Sequence, residues 1–226
     1  MSRHPRFRGG GGVGTSLRIP NALPMRPAPL PLLTPVTLTG THVRLEPLTL
    51  AHLPALTAVG LDPDLWAFTT SRVRTPDDMR RYVEAALGEQ ARATALPFVQ
   101  IDVATGAVAG STRLANYEPT HHRVEIGWTW LARPWQRTPA NTEAKRLLLA
   151  HAFDTLGVER VELKTSARNA RSRAAIARIG GVEEGTLRHH MINESGEVRD
   201  SVYFSILRDE WPAVRAGLDA RLAGAA

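Results

Sequence analysis

Two polar stretches of the chain have the residue types and spacing to hold a phosphorylated ligand. The first runs from Trp135 to Lys145 and links a predicted strand to a predicted helix. The amino terminus of a helix leaves backbone N–H groups unpaired and carries a partial positive charge, which together favour a bound phosphate. In the second stretch, Asn169 and Ser172 are three residues apart on a later helix and so share one face. We expect both stretches to face the gap between two neighbouring parallel strands.

The hydrophobic pattern from residue 36 onward predicts the elements that would position these stretches. In chain order it predicts a strand or hairpin over 36–45, helices over 50–61 and 75–94, strands over 98–103, 108–115 and 123–131, a helix over 142–156, a strand over 160–165, a helix over 169–179, strands over 183–192 and 199–207, and a final helix. The three consecutive strands should be antiparallel. The strand–helix–strand order of the second half requires a crossover and therefore a parallel pair. The predicted fold class is α/β, with a mixed sheet flanked by helices.

Composition excludes several classes of protein. The chain has 226 residues, of which 43% are hydrophobic and 22% are charged, as is ordinary for one globular domain. It has no cysteine, which excludes a disulfide scaffold, a thiolate metal site and a cysteine nucleophile. The histidines show no ligand spacing, so no metal is expected. Since no run of about 18 apolar residues occurs, we predict no membrane contact and a cytoplasmic location.

The positive charge is concentrated at the amino terminus. Residues 1–35 carry five arginines, no acidic residue, a glycine run and seven prolines, so we predict a disordered tail followed by a single domain over 36–226. That domain is nearly neutral, and nucleic acid is therefore expected to bind only through the tail, if at all. Lys145 and Lys164 are the only lysines, against 26 arginines. We interpret this skew as compositional bias, so a single arginine does not by itself indicate a phosphate site.

Taken together, the motifs resemble the GNAT N-acetyltransferase superfamily, and within it the Rim-type branch that includes ribosomal-protein N-terminal acetyltransferases. The resemblance covers residues 36 to about 210. It rests on Glu125-Ile-Gly followed by Trp130-Leu131, the Trp135-Gln136 pair, Thr142-Glu143-Ala144, the Asn169–Ser172 spacing and Glu184-Gly185. It implies a GNAT-like acyl-CoA N-acyltransferase fold, whose mostly antiparallel twisted sheet contains a splayed parallel pair. It also implies transfer of an acetyl group from acetyl-CoA to a primary amine, by direct attack in a ternary complex.

The same resemblance implies roles for individual residues. The loop before the third helix would bind the CoA diphosphate through backbone N–H groups, and the preceding strand end would pair with the pantetheine arm. Asn169 would bond that arm, and Ser172 would lie near the thiol and protonate the leaving thiolate. A CoA 3′-phosphate would offset the repulsion between the helix dipole and Arg168, Arg171 and Arg173. The cofactor-binding residues implied are Trp130, Leu131, Gln136, Arg137, Thr138, Ala140, Asn141, Thr142, Asn169 and Arg173.

The sequence leaves the general base open. An α-amino group has a pKa of about 8, so its deprotonation at pH 7 costs only about 1.4 kcal/mol and a weak acceptor is enough. Glu125 on the central strand is the candidate, and its alternative role is a salt bridge, for example with Arg113. Further candidates are His121, His122 and Glu184.

The diphosphate loop departs from the family pattern. Pro139 and Asn141 stand where the family has glycine or another small residue, and proline has no N–H. One lost hydrogen bond to a charged oxygen costs about 1.5–3 kcal/mol, or roughly 10- to 150-fold in affinity. A cap at Thr138 with Pro139 at the first helical position, or a contact from Arg137, could offset this loss.

Two other functions stay open, the first because of this departure and the second because the same fold can serve a different acceptor. One is a non-catalytic or degenerate acyl-CoA-binding module, and the other is an antibiotic or polyamine acetyltransferase. The acceptor is accordingly a protein N-terminal amine or a small-molecule amine, and a homodimer is possible.

Overall fold

The computed structural model describes residues 30–224, which contain one mixed sheet between two layers of helices. Its eight strands are β1 (Leu38–Thr39), β2 (Val43–Pro47), β3 (Leu96–Asp102), β4 (Val108–Glu118), β5 (Arg123–Leu131), β6 (Arg160–Ser166), β7 (Val182–Ile192) and β8 (Val198–Leu207). They lie in the order β1-β2-β3-β4-β5-β6-β8-β7. This architecture confirms the predicted fold class.

Five α-helices connect and cover the sheet. They are α1 (Leu53–Gly60), α2 (Pro76–Ala91), α3 (Pro139–Ala150), α4 (Ala170–Arg178) and α5 (Trp211–Ala223). Thr75 caps α2, since its hydroxyl accepts a hydrogen bond from the Asp78 N–H at 3.2 Å while the Asp78 carboxylate accepts from the Thr75 N–H at 2.9 Å. After α3 the chain continues into a π-helical turn over His151–Leu156, which ends at Gly157 with a left-handed φ of 78°.

The prediction for the start of α3 was three residues late. The helix begins at Pro139 and not at Thr142, because Thr138 caps it and proline at the first helical position needs no N–H partner.

The two central strands separate after a short parallel contact. β5 and β6 pair only over Arg123–Glu125 and Arg160–Glu162, and every other strand pair in the described sheet is antiparallel. Beyond Glu125 both strands continue without pairing to each other. The opening between them, called here the strand gap, therefore lies at the ends of the strands that lead into α3 and α4.

Each face of the sheet buries its own hydrophobic cluster. On one face, α3 and α5 pack over residues such as Ile126, Leu163 and Phe204. On the other face, α1 and α2 enclose a cluster that includes Met79 and Trp130. Because side chains alternate between the faces of a strand, these clusters settle which residues of the central strands face α1 and α2.

Most of the predicted tail, residues 1–29, lies outside the described residues. Residues 30–35, which the sequence placed with the tail, instead contact the domain. Leu33 is buried in the α3 face cluster, and the Tyr117 hydroxyl donates to the Pro31 carbonyl oxygen at 2.7 Å. The apolar side chains of this segment extend the core despite its prolines. Across residues 30–224, no helix has both the length and the apolar character needed to span a membrane.

Candidate active site

A cavity of about 610 Å³ opens at the strand gap. Its wall is formed by the second half of β5, the end of β6, the starts of α3 and α4, and the loop between α1 and α2. The two stretches singled out from the sequence therefore face one cavity from opposite sides, as predicted. Nine of the predicted site residues line it, namely Glu125, Trp130, Leu131, Gln136, Arg137, Thr138, Asn141, Asn169 and Ser172.

The loop before α3 points its backbone at this cavity. The Thr138 hydroxyl accepts from the Ala140 N–H at 3.3 Å and donates to the Trp135 carbonyl oxygen at 2.8 Å, which fixes the start of the helix. Arg137 has a φ of 62°, a left-handed conformation uncommon for residues other than glycine and often found at ligand-binding sites. The first of the two expected compensations for Pro139, a helix cap at Thr138, is thus present in the structure.

Two residues of the same loop were expected at the cofactor but do not line the cavity. Ala140 is 4% exposed and belongs to the hydrophobic cluster beneath α3. Thr142 is 6% exposed and lies one turn inside the helix. Both side chains are buried within the domain and do not form part of the cavity wall.

A β-bulge interrupts the pairing of β5 with β4 near the end of β5. Arg113 and Ser111 of β4 pair with Gly127 and Trp130, so two residues of β5 oppose one residue of β4. The first of these two, Trp128, has a left-handed φ of 49°. A bulge bends its strand and increases the local twist, and this one lies in the part of β5 that no longer pairs with β6.

The end of β5 is also held by side chains. The Leu131 carbonyl oxygen accepts from Gln136 Nε2 at 2.8 Å, and the Trp130 carbonyl oxygen accepts from the buried Gln100 amide at 3.3 Å. The Trp130 ring packs in the cluster under α1 and α2. The strand end that the resemblance assigns to the pantetheine arm is therefore rigidly placed beside the cavity.

At the start of α4 the side chains divide between the cavity and the surface. Asn169 caps the helix, because its Oδ1 accepts from the Ser172 N–H at 3.0 Å. Arg171 lines the cavity, and its Nη1 lies 3.4 Å from Gln136 Oε1 across the strand gap. Arg173 does not line the cavity and pairs with Glu183 at 3.1 Å, while Arg168 pairs with Glu197. Of the three arginines, the structure places Arg171, and not the expected Arg173, beside the loop before α3.

Glu125 lines the cavity but is already paired. Its Oε2 accepts from Lys164 Nζ and from Asn116 Nδ2, both at 2.7 Å, and the side chain is 3% exposed. The salt bridge foreseen as its alternative role is therefore present, although with Lys164 and not with Arg113. Arg113 instead pairs with Glu89 at 3.0 Å.

The other candidate bases do not reach the cavity wall. His121 and His122 lie in the turn between β4 and β5 and do not line the cavity. Glu184 is held by Arg160, whose guanidinium lowers the pKa of that carboxyl to about 2. A carboxylate with so low a pKa is a weak proton acceptor, so Glu184 is unsuited to the role.

Both lysines of the chain were missed by the sequence reasoning. Lys145 on α3 lines the cavity at 7% exposure, and its Nζ donates to the Thr129 hydroxyl at 2.6 Å. Burial lowers the pKa of Lys145 to about 7. Lys164 also lines the cavity, paired with Glu125. The signal was present in the composition, since a chain that uses arginine almost everywhere keeps lysine only at these two positions.

The donor set of the cavity wall is suited to a diphosphate group. The helix mouth, Arg137 and Arg171 offer backbone N–H groups and guanidinium groups to a diphosphate. In the part of the chain that the structure describes, no group of three or more His, Cys, Asp or Glu side chains is arranged to hold a metal ion.

Comparison with known proteins gives a consistent picture. The model of the acetyltransferase (GNAT) domain family matches residues 42–182. The Bacillus subtilis (strain 168) protein named "Putative ribosomal N-acetyltransferase YdaF" is 35% identical over 106 residues, which are 47% of this chain and 57% of that protein. The match thus spans little more than half of that relative's length.

Two solved structures share the fold at higher coverage. A GCN5-related N-acetyltransferase from Brucella melitensis superposes with a TM-score of 0.80 at 33% identity, covering 86% of this chain and 88% of its own. The "putative acetyltransferase" from T. thermophilus superposes with a TM-score of 0.77 at 41% identity, covering 84% of this chain and 98% of its own.

Proposed function

Since the chain belongs to the GNAT acetyltransferase family, we propose that it transfers an acetyl group from acetyl-CoA to a primary amine by direct attack in a ternary complex. The observation that carries this proposal is the single cavity that joins the mouth of α3 to the α1–α2 side of the sheet through the strand gap. A cofactor that enters at the helix mouth would thus meet an acceptor that enters from the opposite face.

The loop before α3 would hold the diphosphate. Arg137, Thr138 and Asn141 would supply backbone N–H groups there, because Pro139 has none and the Ala140 N–H is bonded to the cap. Gln136 and Arg171, which lie 3.4 Å apart, would close over the phosphates. The backbone at Trp130 and Leu131 would orient the pantetheine arm, together with the Asn169 side-chain amide.

Acetyl-CoA supplies the activated acetyl thioester. Ser172 would protonate the thiolate that leaves, since its side chain lines the cavity and its backbone is fixed by Asn169. Glu125 would receive the amine proton, directly or through a water. A carboxylate is a weak base in general, which suits an α-amine with a pKa of about 8 better than a lysine side chain with a pKa of about 10.4.

The acceptor is proposed to be the α-amine of a protein N-terminus or of a small molecule. The name of the Bacillus relative refers to ribosomal N-acetylation, which agrees with this choice. A polycationic antibiotic or polyamine is disfavoured by charge, because the acidic residues of the cavity wall, Asp64 and Glu125, are both paired with cations.

An amine screen monitored by release of free thiol from acetyl-CoA tests this function. Calorimetric titration with acetyl-CoA provides the companion measurement. We expect binding, and turnover with at least one α-amine acceptor. Tight binding without turnover over the whole panel would instead identify a non-catalytic acyl-CoA module, and absence of binding would refute every function based on CoA.

A further inference from the structure

Strand β8 carries a row of polar side chains on the α1–α2 face of the sheet, and Arg199 at its start lines the cavity. Val202 and Phe204 point into the cluster beneath α3, so Arg199, Ser201 and Tyr203 point to the opposite face of the sheet. Glu125 and Lys164 lie on that same face, and Lys164 Nζ is 5.8 Å from the centre of the Tyr203 ring. Arg199 lines the cavity beside them.

Arg199 lacks a partner in this cluster. Lys164 and Asn116 satisfy Glu125, and Tyr203 contacts His190 at 3.5 Å. Within residues 30–224 the Arg199 guanidinium makes neither a hydrogen bond nor an ion pair, and its Nε is buried. The buried Nε–H of Arg199 has no acceptor within the described protein, so a ligand oxygen in the cavity could satisfy it.

The charged side chains of the cavity wall favour an anion as the partner of Arg199. The basic residues of the cavity wall are Arg137, Lys145, Lys164, Arg171, Arg178 and Arg199, whereas its acidic residues Asp64 and Glu125 are already in ion pairs. Burial, followed by the charges of Lys164 and Arg199, lowers the pKa of His190. On the acceptor side Lys164 is already paired with Glu125, so Arg199 contributes a positive charge without a carboxylate partner, and an anion there would be attracted.

We propose that Arg199 is a specificity-determining residue that binds a carboxylate of the acceptor, so that the preferred acceptors are amines with a carboxylate close to the reacting nitrogen. This inference rests on the proposed function and narrows its substrate class. Guanidinium and carboxylate groups match in shape and form paired hydrogen bonds. Free α-amino acids share this chemistry with polypeptides whose first residues include Asp or Glu, and the experiment distinguishes these two sources.

The first test measures binding to the CoA-saturated protein, so that it does not depend on turnover. The probes are two C-terminally amidated pentapeptides that differ only in having Asp or Asn at the second position, together with alanine and alaninamide. We expect the carboxylate-bearing member of at least one pair to bind about 10- to 100-fold more tightly than its amide. A preference within the peptide pair identifies a polypeptide acceptor, and a preference within the alanine pair identifies an amino acid.

The second test assigns the preference to Arg199. In Arg199→Gln the carboxylate-bearing probe should lose this advantage, while the affinity of the neutral probe stays within about twofold. Arg188→Gln removes an exposed arginine from neighbouring β7 and serves as the matched control, which should keep the full preference. In turnover assays Arg199→Gln should raise the KM for the acidic acceptor without a matching fall in kcat.

The outcomes separate this inference from the proposed function. Equal binding of both members in both pairs, or a preference that survives in Arg199→Gln, overturns the role of Arg199 even if acetylation is observed. A preference that depends on Arg199, in a protein that acetylates none of the four probes and no amine of the screen, supports the carboxylate site and refutes the acetyltransferase function.

Discussion

Ser172 has an environment that suits a proton donor better than its position in a helix would suggest. A hydroxyl in the first turn of a helix commonly bonds the backbone of its own turn. Here Asn169 bonds the Ser172 N–H at 3.0 Å, and the Ser172 side chain lines the cavity.

Replacing Ser172 with alanine should lower kcat by about 10²- to 10⁴-fold, the usual contribution of a general acid. The KM for acetyl-CoA should change little, because the backbone contact to Asn169 remains. Steady-state kinetics with free-thiol detection measures both values. Unchanged turnover would exclude Ser172 as the proton donor.

The Glu125–Lys164 pair requires a double substitution, because each residue has a structural and a possible chemical role. Glu125→Gln leaves Lys164 buried without its carboxylate, which should destabilise the fold by about 3–5 kcal/mol. Adding Lys164→Met should recover most of this loss. If Glu125 accepts the amine proton, turnover stays low in the stable double variant. Recovery of turnover together with stability would show that Glu125 acts only through its salt bridge.

Lys145 makes the stability of the protein depend on pH. Burial lowers its pKa from 10.5 to about 7, so between these two values the unfolded chain binds more protons than the folded one. Stability from this group therefore rises with pH across that range, and the full penalty is present below pH 7. At 1.36 kcal/mol per pKa unit, the penalty is at most about 5 kcal/mol.

Lys145→Met should thus raise the free energy of unfolding at pH 6–7, and the gain should shrink towards pH 10. Denaturant unfolding at several pH values measures it. Arg80→Met, at an exposed position on α2, is the control and should show no such pH dependence. The same gain at every pH would mean that the Lys145 amine is not titrating.

At the scale of elements, the position of each arginine at the start of α4 decides whether its side chain reaches the cavity. The sequence alone does not distinguish Arg168, Arg171 and Arg173. In the structure Arg168 precedes α4, and successive residues within the helix point about 100° apart. Only Arg171 of these three faces the cavity, whereas the other two pair with Glu197 and Glu183.

Arg171→Ala should raise the KM for acetyl-CoA about 5- to 30-fold through loss of a phosphate contact. Arg173→Ala should leave it within about twofold, which makes this variant a matched control on the same helix. Kinetics at two salt concentrations would add a test of charge, because the Arg171 effect should weaken at high salt. Equal effects of the two substitutions would contradict the placement of the cofactor.

At the scale of the whole molecule, the carboxylate of Glu143 connects the β1–β2 edge of the sheet to α3. Glu143 on α3 accepts hydrogen bonds from the backbone N–H groups of Thr41, His42 and Val43, at 2.8, 2.6 and 2.8 Å. These residues are about 100 positions away in sequence. The Thr142-Glu143-Ala144 motif that indicated the family thus contributes a structural tie between the β1–β2 hairpin and α3.

Glu143→Gln should lower the free energy of unfolding by about 2–4 kcal/mol, because a neutral amide has only one oxygen for three donors and its own N–H groups would face backbone donors. Denaturant unfolding measures the loss. Glu84→Gln on exposed α2 is the control and should stay within about 0.5 kcal/mol. A Glu143→Gln protein as stable as the wild type would show that the hairpin is held by packing alone.

The sequence by itself determined the order and type of nearly every element, because apolar periodicity and cap residues such as Thr75 and Gly157 act locally. It also determined the parallel pair, since a strand–helix–strand crossover produces one, and the family resemblance implied that this pair is splayed. Sequence motifs were enough to place Asn169 and Ser172 at the cavity.

Only the tertiary structure decided which charges meet in that cavity. Pairing of Glu125 with Lys164, burial of Lys145 against Thr129 and the missing partner of Arg199 each depend on strands and helices that are distant in the chain. The interaction energy and the pKa of a charged group depend on its distance to other charges and on its exposure to water. Neither quantity can be derived from the spacing of residues in the sequence. The sequence therefore located the site, and the tertiary contacts decided its electrostatics.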